Sequence, residues 1–404
     1  MKKAVMYGAG NIGRGFIGML FSASGYEVAF VDVAAPVIEA LNRDGRYPVR
    51  IVSGEGCEDV EVGNVRAVDG NDREAVAEAI ASCDVMATAV GVNILKFIVP
   101  NLAAGIRLRK ERKAGAFNII ICENLVDANL YLERLLREEF TEEEYAWFEQ
   151  NVGLVEASIG RMVPVQTEEM KDGNPLRVCV ERYGFLPVDK AAFRGEIPEV
   201  RNMIPFEPFD FYIRRKLYLH NMGHAVCAYL GLYTEKELIC QAIADTEVQL
   251  IVTEAMTESA LALSKRYKVP MEELLRHTQD LRRRFTNEAL GDTCRRVGGD
   301  PGRKLSPADR LTGASRLCRE EGVCPAFISI GTAGAVYEYL AEQHKEQSPE
   351  HACEVLETVA GIKEGEELSR MVLRLYAKYL EKADVRGIRK EAEKIRAEEN
   401  GEVV

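Results

Sequence analysis

Residues 8–13 read Gly8-Ala9-Gly10-Asn11-Ile12-Gly13, and no other stretch of the chain limits its fold as much. A short apolar run, residues 4–7, precedes it, and a helical pattern over residues 13–24 follows it. Strand, glycine turn and helix in that order form a place for the pyrophosphate of a dinucleotide. Gly8 permits the tight turn, Gly10 lets the backbone approach the phosphates, and Gly13 allows close packing of helix on strand. Around Asn11 and Ile12 the helix start offers free N–H groups and the positive end of its dipole. A second strand, residues 27–33, ends Val31-Asp32-Val33, which puts Asp32 19 residues past Gly13. An acid there accepts hydrogen bonds from the adenosine ribose and repels a 2′-phosphate, so NAD is expected rather than NADP. The turn alone also admits a flavin, because it reads the dinucleotide and not the redox ring. The plain alternative is a nucleotide-free turn with a solvated Asp32.

Further near-continuous apolar runs lie at residues 83–90 and 117–122, with helical patterns such as 73–82 between. Continuous rather than alternating runs fit strands buried on both faces of a parallel sheet. The expected fold is α/β: an N-terminal Rossmann-type doubly wound sheet followed by a mostly α-helical C-terminal domain. Residues 154–159 and 176–180 are expected to add strands at the far side of that sheet. Beyond about residue 209, long helical periods take over at 209–231, 235–266, 271–290, 306–321, 324–344 and 350–381. The proline-bearing segment 193–208 is the expected boundary, giving domains 1–200 and 201–404. The charged stretch 382–404 is expected to be a solvated helix that frays.

The 404 residues carry 52 Lys plus Arg against 64 Asp plus Glu, a formal charge of −12. That balance argues against nucleic acid and anionic membrane as partners, and leaves room for a local basic pocket. No apolar run reaches the length of about 18 residues needed to span a bilayer. Glycines and Arg14 interrupt the start too early for a secretory signal. Ten cysteines occur without a CxxC pair or metal-ligand spacing, which suits reduced thiols in a cytoplasm and no metal.

Past the boundary comes Arg215-Lys216-Leu217-Tyr218-Leu219-His220-Asn221-Met222-Gly223-His224. On an α-helix Lys216, Asn221 and His224 fall within an arc of about 140°. Oxidation of a secondary alcohol by hydride transfer needs a base for the hydroxyl proton and donors for the oxygen. A lysine whose burial lowers its proton affinity can be the base; Asn and neutral His can be the donors. Spacing alone equally allows a solvated lysine beside packed Asn and His. His220 reads as packing or support, and His277 as exposed on a polar helix. His344 and His351 lack a third ligand for a metal. Cys122 reads as a buried thiol beside a strand.

These residues match K-x4-N-x2-H, the signature of the polyol-specific long-chain dehydrogenases, and the chain resembles that family from residue 1 to about 380. The stretches GAGNIGRGFIG at 8–18, TAVG at 88–91, NIIICENLV at 118–126 and RKLSPADRL at 303–311 carry the resemblance further. It implies a metal-independent enzyme, Lys216 as general acid/base, and Asn221, His224 and Asn124 around the reacting oxygen. It also implies Arg296 and Lys304 at the substrate end. By sequence alone these two belong to a basic cluster with Arg295, Arg303 and Arg310, which is either an anion site or a solvated loop. The implied reaction is NAD-dependent interconversion of mannitol 1-phosphate and fructose 6-phosphate in the cytoplasm, by a monomer or small homo-oligomer. The partner is then a small-molecule sugar phosphate or polyol. One departure stands out: Gly160-Arg161-Met162-Val163-Pro164 has glycine where many family members have Asp. That keeps open a related oxidoreductase acting on an unphosphorylated polyol or a hexuronate. A non-catalytic NAD-binding sensor is the remaining alternative.

Overall fold

A computed structural model describes residues 1–54 and 56–401. The chain divides into two compact units, Met1–Tyr212 and Ile213–Val404. Among its described residues the first forms eleven strands: β1 (Lys3–Tyr7), β2 (Glu27–Asp32), β3 (Arg46–Ser53), β4 (Gly56–Gly63), β5 (Val65–Asp69), β6 (Val85–Thr88), β7 (Phe117–Ile121), β8 (Val152–Glu156), β9 (Val178–Val180), β10 (Leu186–Asp189) and β11 (Met203–Phe206). Six make one sheet in the order β5-β2-β1-β6-β7-β8, every pair parallel. Neighbouring residues of β1 face opposite sides. Ala4 and Met6 join a core with Phe16, Leu20 and Phe30. Val5 and Tyr7 join another with Ile80, Leu102 and Leu132. Both faces are therefore covered, which is why the strands read as unbroken apolar runs.

The strand order turns back at β1, between β2 and β6, and open α/β sheets hold ligands at the carboxyl ends of such a switch point. The glycine turn follows β1 at that place. Helix follows at once, with a π-helical turn over Gly13–Gly18 continuing into α-helix at Met19–Ala23.

Residues 176–180 do not extend the main sheet. β9 pairs with β3, and β3 with β4, in a separate three-stranded sheet. Tyr47 and Val49 of β3 and Val178 and Val180 of β9 bury themselves over the first helix. The β3–β4 hairpin lacks a strong apolar signal because β4 is mostly exposed, with only Val62 buried.

The second unit is almost wholly helical. Its centre is the helix Ala326–Glu342, buried nearly all round and apolar to match. Several long periods break into pieces: 235–266 becomes Ile239–Ala244 and Thr246–Tyr267, and 350–381 becomes Pro349–Thr358 and Glu367–Leu380. The terminal helix Val385–Glu399 is not simply solvated. It buries Val385, Ile388, Ala392 and Ile395, a three-four spacing that makes one apolar face. No helix among the described residues is long and apolar enough to cross a membrane.

The closest helix–strand packing in the first unit is at Gly18, where a Cβ would collide with the Phe30 ring of β2. Gly18→Val should overpack this contact and cost about 1–3 kcal/mol. Differential scanning calorimetry should show the midpoint falling by roughly 2–4 °C for each kcal/mol.

Candidate active site

The glycine turn is held from several sides. Gly8 has φ +101°, and a Cβ there would come within 2.5 Å of Ala89 O, in the loop after β6. Gly13 carries a different constraint from helix–strand packing: a Cβ there would overlap the Gly8 carbonyl oxygen. The packing role falls to Gly15, against Val178 at 2.8 Å, and to Gly18. Gly10 has nothing within 4 Å of its Cβ position and is exposed. No side chain caps the helical turn at Ile12. An open approach at Gly10 beside helical N–H groups at Asn11 and Ile12 is what an anionic pyrophosphate requires, so this turn fits NAD.

Asp32 ends β2 half-buried. Its Oδ2 accepts from Ala9 N at 2.6 Å, and its Oδ1 accepts from Val33 N at 2.8 Å and Ala34 N at 3.0 Å. The carboxylate thus braces the turn that it would serve, and Oδ2, which accepts only one of these bonds, keeps acceptor capacity for a ribose hydroxyl. Two further residues brace the same end and carry no spacing signal in the sequence. Arg14, buried, donates Nε–H to Ala9 O at 2.6 Å and also bonds Leu176 O. Burial lowers its proton affinity. Glu123, buried after β7, accepts from Val90 N at 2.9 Å and Gly91 N at 2.8 Å. Asn124 follows it, exposed beyond the carboxyl end of β7. Cys122 is buried, which pushes its thiol pKa well up and leaves it unreactive.

In the second unit, residues Arg215–Asn221 form another π-helical turn before the α-helix Met222–Tyr233. Met222 N–H reaches back five residues to Leu217 O. An i→i+5 turn brings residue 221 back over residue 216, which reduces the arc of about 140° expected on an α-helix. Lys216 is half-buried, and desolvation first, then the Arg310 charge, lower its pKa to about 8. His224 stacks on Phe285, with ring centroids 4.7 Å apart at 12°. Desolvation and the Arg296 and Arg284 charges lower its pKa to about 3, so it is neutral near pH 7. Its Nε2 lies 3.6 Å from Asp292 Oδ2, a contact rather than an ion pair. Asp292, missed in the sequence, also receives the Arg296 guanidinium. His277 is half-buried rather than exposed, and desolvation with Arg215 and Arg284 pushes its pKa well below the usual value.

The basic cluster divides. Arg295 turns to Glu338 at 3.2 Å and is 71% exposed. Arg303 pairs with Asp300 at 2.9 Å. Lys304 is buried, donates to Gly299 O, and has its pKa lowered to about 8 by burial, Arg310 and Arg303. Arg310 bonds Asp309 at 2.7 Å, and its charge is felt at Lys216, His224 and Lys304. Lys216, His224, Arg296, Lys304 and Arg310 thus share one electrostatic neighbourhood. Asn124 and the glycine turn belong to the first unit. No group of three His, Cys, Asp or Glu among the described residues could hold a metal.

The glycine turn fits NAD, and similarity to known proteins defines the class, an NAD-dependent polyol oxidoreductase. The model of the mannitol dehydrogenase Rossmann domain matches residues 2–202, and that of the mannitol dehydrogenase C-terminal domain matches 209–377. The chain is 36% identical to mannitol-1-phosphate 5-dehydrogenase of Thermoanaerobacter pseudethanolicus, over 84% of this chain and 87% of that protein. It is 38% identical to the protein of that name from Brevibacillus brevis, over 82% and 85%. The chain belongs to the mannitol dehydrogenase family. Its fold is that of a substrate-free D-sorbitol dehydrogenase (TM-score 0.81, 16% identity, 97% and 95% of the two chains). It is also similar to Pseudomonas fluorescens mannitol 2-dehydrogenase solved with NAD and D-mannitol (TM-score 0.69, 13% identity, 98% and 94%).

Two glycine variants separate nucleotide binding from turn geometry. Gly10→Ala projects a methyl into open space, so its thermal stability should stay within about 0.5 kcal/mol of the parent. Fluorescence titration should show its affinity for NADH falling at least about tenfold, because the methyl stands where backbone meets phosphate. Gly8→Ala, strained and in collision, should instead lower the melting temperature.

Proposed function

We propose that the chain interconverts mannitol 1-phosphate and fructose 6-phosphate with NAD, using Lys216 as general acid/base. The observation that carries this reading is Lys216 itself, half-buried with its pKa lowered to about 8 by desolvation and by Arg310. A lysine tuned that close to neutrality exchanges protons with a hydroxyl group at working pH. The names of the relatives supply the substrate pair. When bound, NAD supplies the acceptor for the hydride that leaves the alcohol carbon. Gly8, Gly10, Asn11, Ile12, Gly13 and Asp32 hold the nucleotide. Lys216 Nζ takes the hydroxyl proton as the C–O bond becomes C=O. Asn124, Asn221 and neutral His224 donate to or orient that oxygen as charge develops. Arg296 and Lys304 hold the distal phosphate. For ketose reduction each step runs backwards, and protonated Lys216 delivers the proton. The ten free thiols suit a cytoplasmic location.

The second reading, an unphosphorylated polyol or hexuronate as substrate, draws on Gly160. A Cβ there would sit 3.0 Å from Tyr183 Cε1, so the glycine leaves room for that ring.

Oxidation of NADH followed with fructose 6-phosphate, fructose and tagaturonate side by side decides between them. Fast turnover of fructose 6-phosphate alone is expected; preference for another sugar overturns the phosphate assignment. Lys216→Ala should lose about 10²–10⁴-fold in kcat/KM. Oxidation needs the neutral amine, so its kcat/KM should rise with pH through about 8, and reduction should fall over the same range. Removing the neighbouring cation in Arg310→Gln lets the ammonium form more easily, so both midpoints should move to higher pH.

A further inference from the structure

The two π turns share a feature. In each, a backbone carbonyl inside the turn takes a hydrogen bond from a side chain far away in sequence. In the first unit Arg14 O accepts from Tyr47 Oη at 2.7 Å and Gly15 O from Arg161 at 2.8 Å. In the second, Tyr218 O accepts from Ser259 Oγ at 2.6 Å. Side-chain donors entering the backbone ladder are among the recognised causes of such local distortions.

Ser259 is fully buried, and its helix, Thr246–Tyr267, is fixed in place by the residues just before it. Met256, three residues earlier, packs where a Cβ of Gly223 would be, 2.7 Å from its Cγ. Glu258 is buried and accepts from Phe327 N at 3.0 Å and Ile328 N at 3.0 Å, joining the helix to the first turn of Ala326–Glu342. Tyr218 is secured at its other end too. Its hydroxyl donates to Ala308 O at 3.1 Å, and Gly313 leaves its ring room. Tyr218 lies between Lys216 and Asn221 in the chain.

We propose that Ser259 is a positioning residue for the reaction centre: its hydroxyl holds the Tyr218 carbonyl in the π turn and so fixes the offset between Lys216 and the Asn221–His224 pair. This rests on the reading of Lys216, Asn221 and His224 given above. If the turn relaxes to α-helix, every residue after it rotates relative to Lys216, and the groups that take the proton and hold the oxygen lose their common aim.

The test compares Ser259→Ala, Ser259→Cys and Ser329→Ala. Ser329 is equally buried, but its hydroxyl bonds Pro325 O at 2.8 Å within its own helix and serves as the packing control. Ser259→Ala should lose about 10- to 100-fold in kcat with KM for NADH unchanged, the size of effect expected of a misplacement near 1 Å. Its pH profile should move from the parental midpoint. Ser259→Cys, which keeps a weak donor, should recover part of the rate, and Ser329→Ala should keep parental kcat. Parental kcat and midpoint in Ser259→Ala overturn the proposal, as does an equal loss in Ser329→Ala. Lys216→Ala runs alongside: full activity there overturns the underlying reading instead, whatever Ser259 does.

Discussion

Residue 13 has no room for a side chain, because the Gly8 carbonyl occupies that place. The approach follows from the geometry of the fold. β1 ends at Tyr7, the chain must turn within a few residues, and the helix must begin over the strand it has just left. Gly8 can make the turn only at positive φ and only against the Ala89 carbonyl, which ties the end of β1 to the end of β6. The remaining supports hold that arrangement in place. Asp32 and Arg14 grip Ala9 at its N–H and its C=O, and Glu123 holds the two amides that follow Ala89. The exposed amides of the turn keep their direction because the buried groups behind them cannot shift separately.

Around Lys216 and His224 the organising force is desolvation in the company of cations. Burial makes each extra proton costly, and Arg284, Arg296 and Arg310 raise that cost further. Lysine starts from a high pKa and arrives near neutrality; histidine starts low and is left uncharged. One environment therefore supplies both a proton exchanger and a neutral donor, which the reaction proposed here needs together. Asp292 lies between His224 and Arg296 and keeps the arginine from standing bare beside the ring.

Much of this was legible in the sequence. The parallel sheet was visible in 83–90 and 117–122 because strands buried on both faces carry no polar alternation. The tight glycine turn was visible because Gly8 and Gly13 have no substitute. The change to helix after residue 209 showed in the period of its apolar residues. What escaped depends on contacts distant along the chain. Arg14 meets Leu176, and Glu123 meets Val90, with nothing local to announce either. β4 was hidden because a strand exposed along most of its length needs no apolar pattern. The π turn at 215–221 was invisible because α-helical and π-helical residues are drawn from the same types, so a fixed 100° step overstated the angle between Lys216 and Asn221. His277 was misplaced because the helix around it is polar, whereas its own position faces Arg215 and Arg284.

Three arginines of the basic cluster carry a counter-ion from close by in the chain: Arg296 has Asp292, Arg303 has Asp300 and Arg310 has Asp309. For the phosphate proposed above, such a cluster would work as an ion exchanger rather than as a bare cationic trap. An anion that settles there releases a tethered carboxylate to water as it enters, so the local charge changes little between the empty and the filled states. Attraction at long range is correspondingly weak, and dissolved salt has little to screen. Choice among anions then falls to geometry: the winner is the group whose oxygens span two guanidinium forks better than the aspartates that already occupy them.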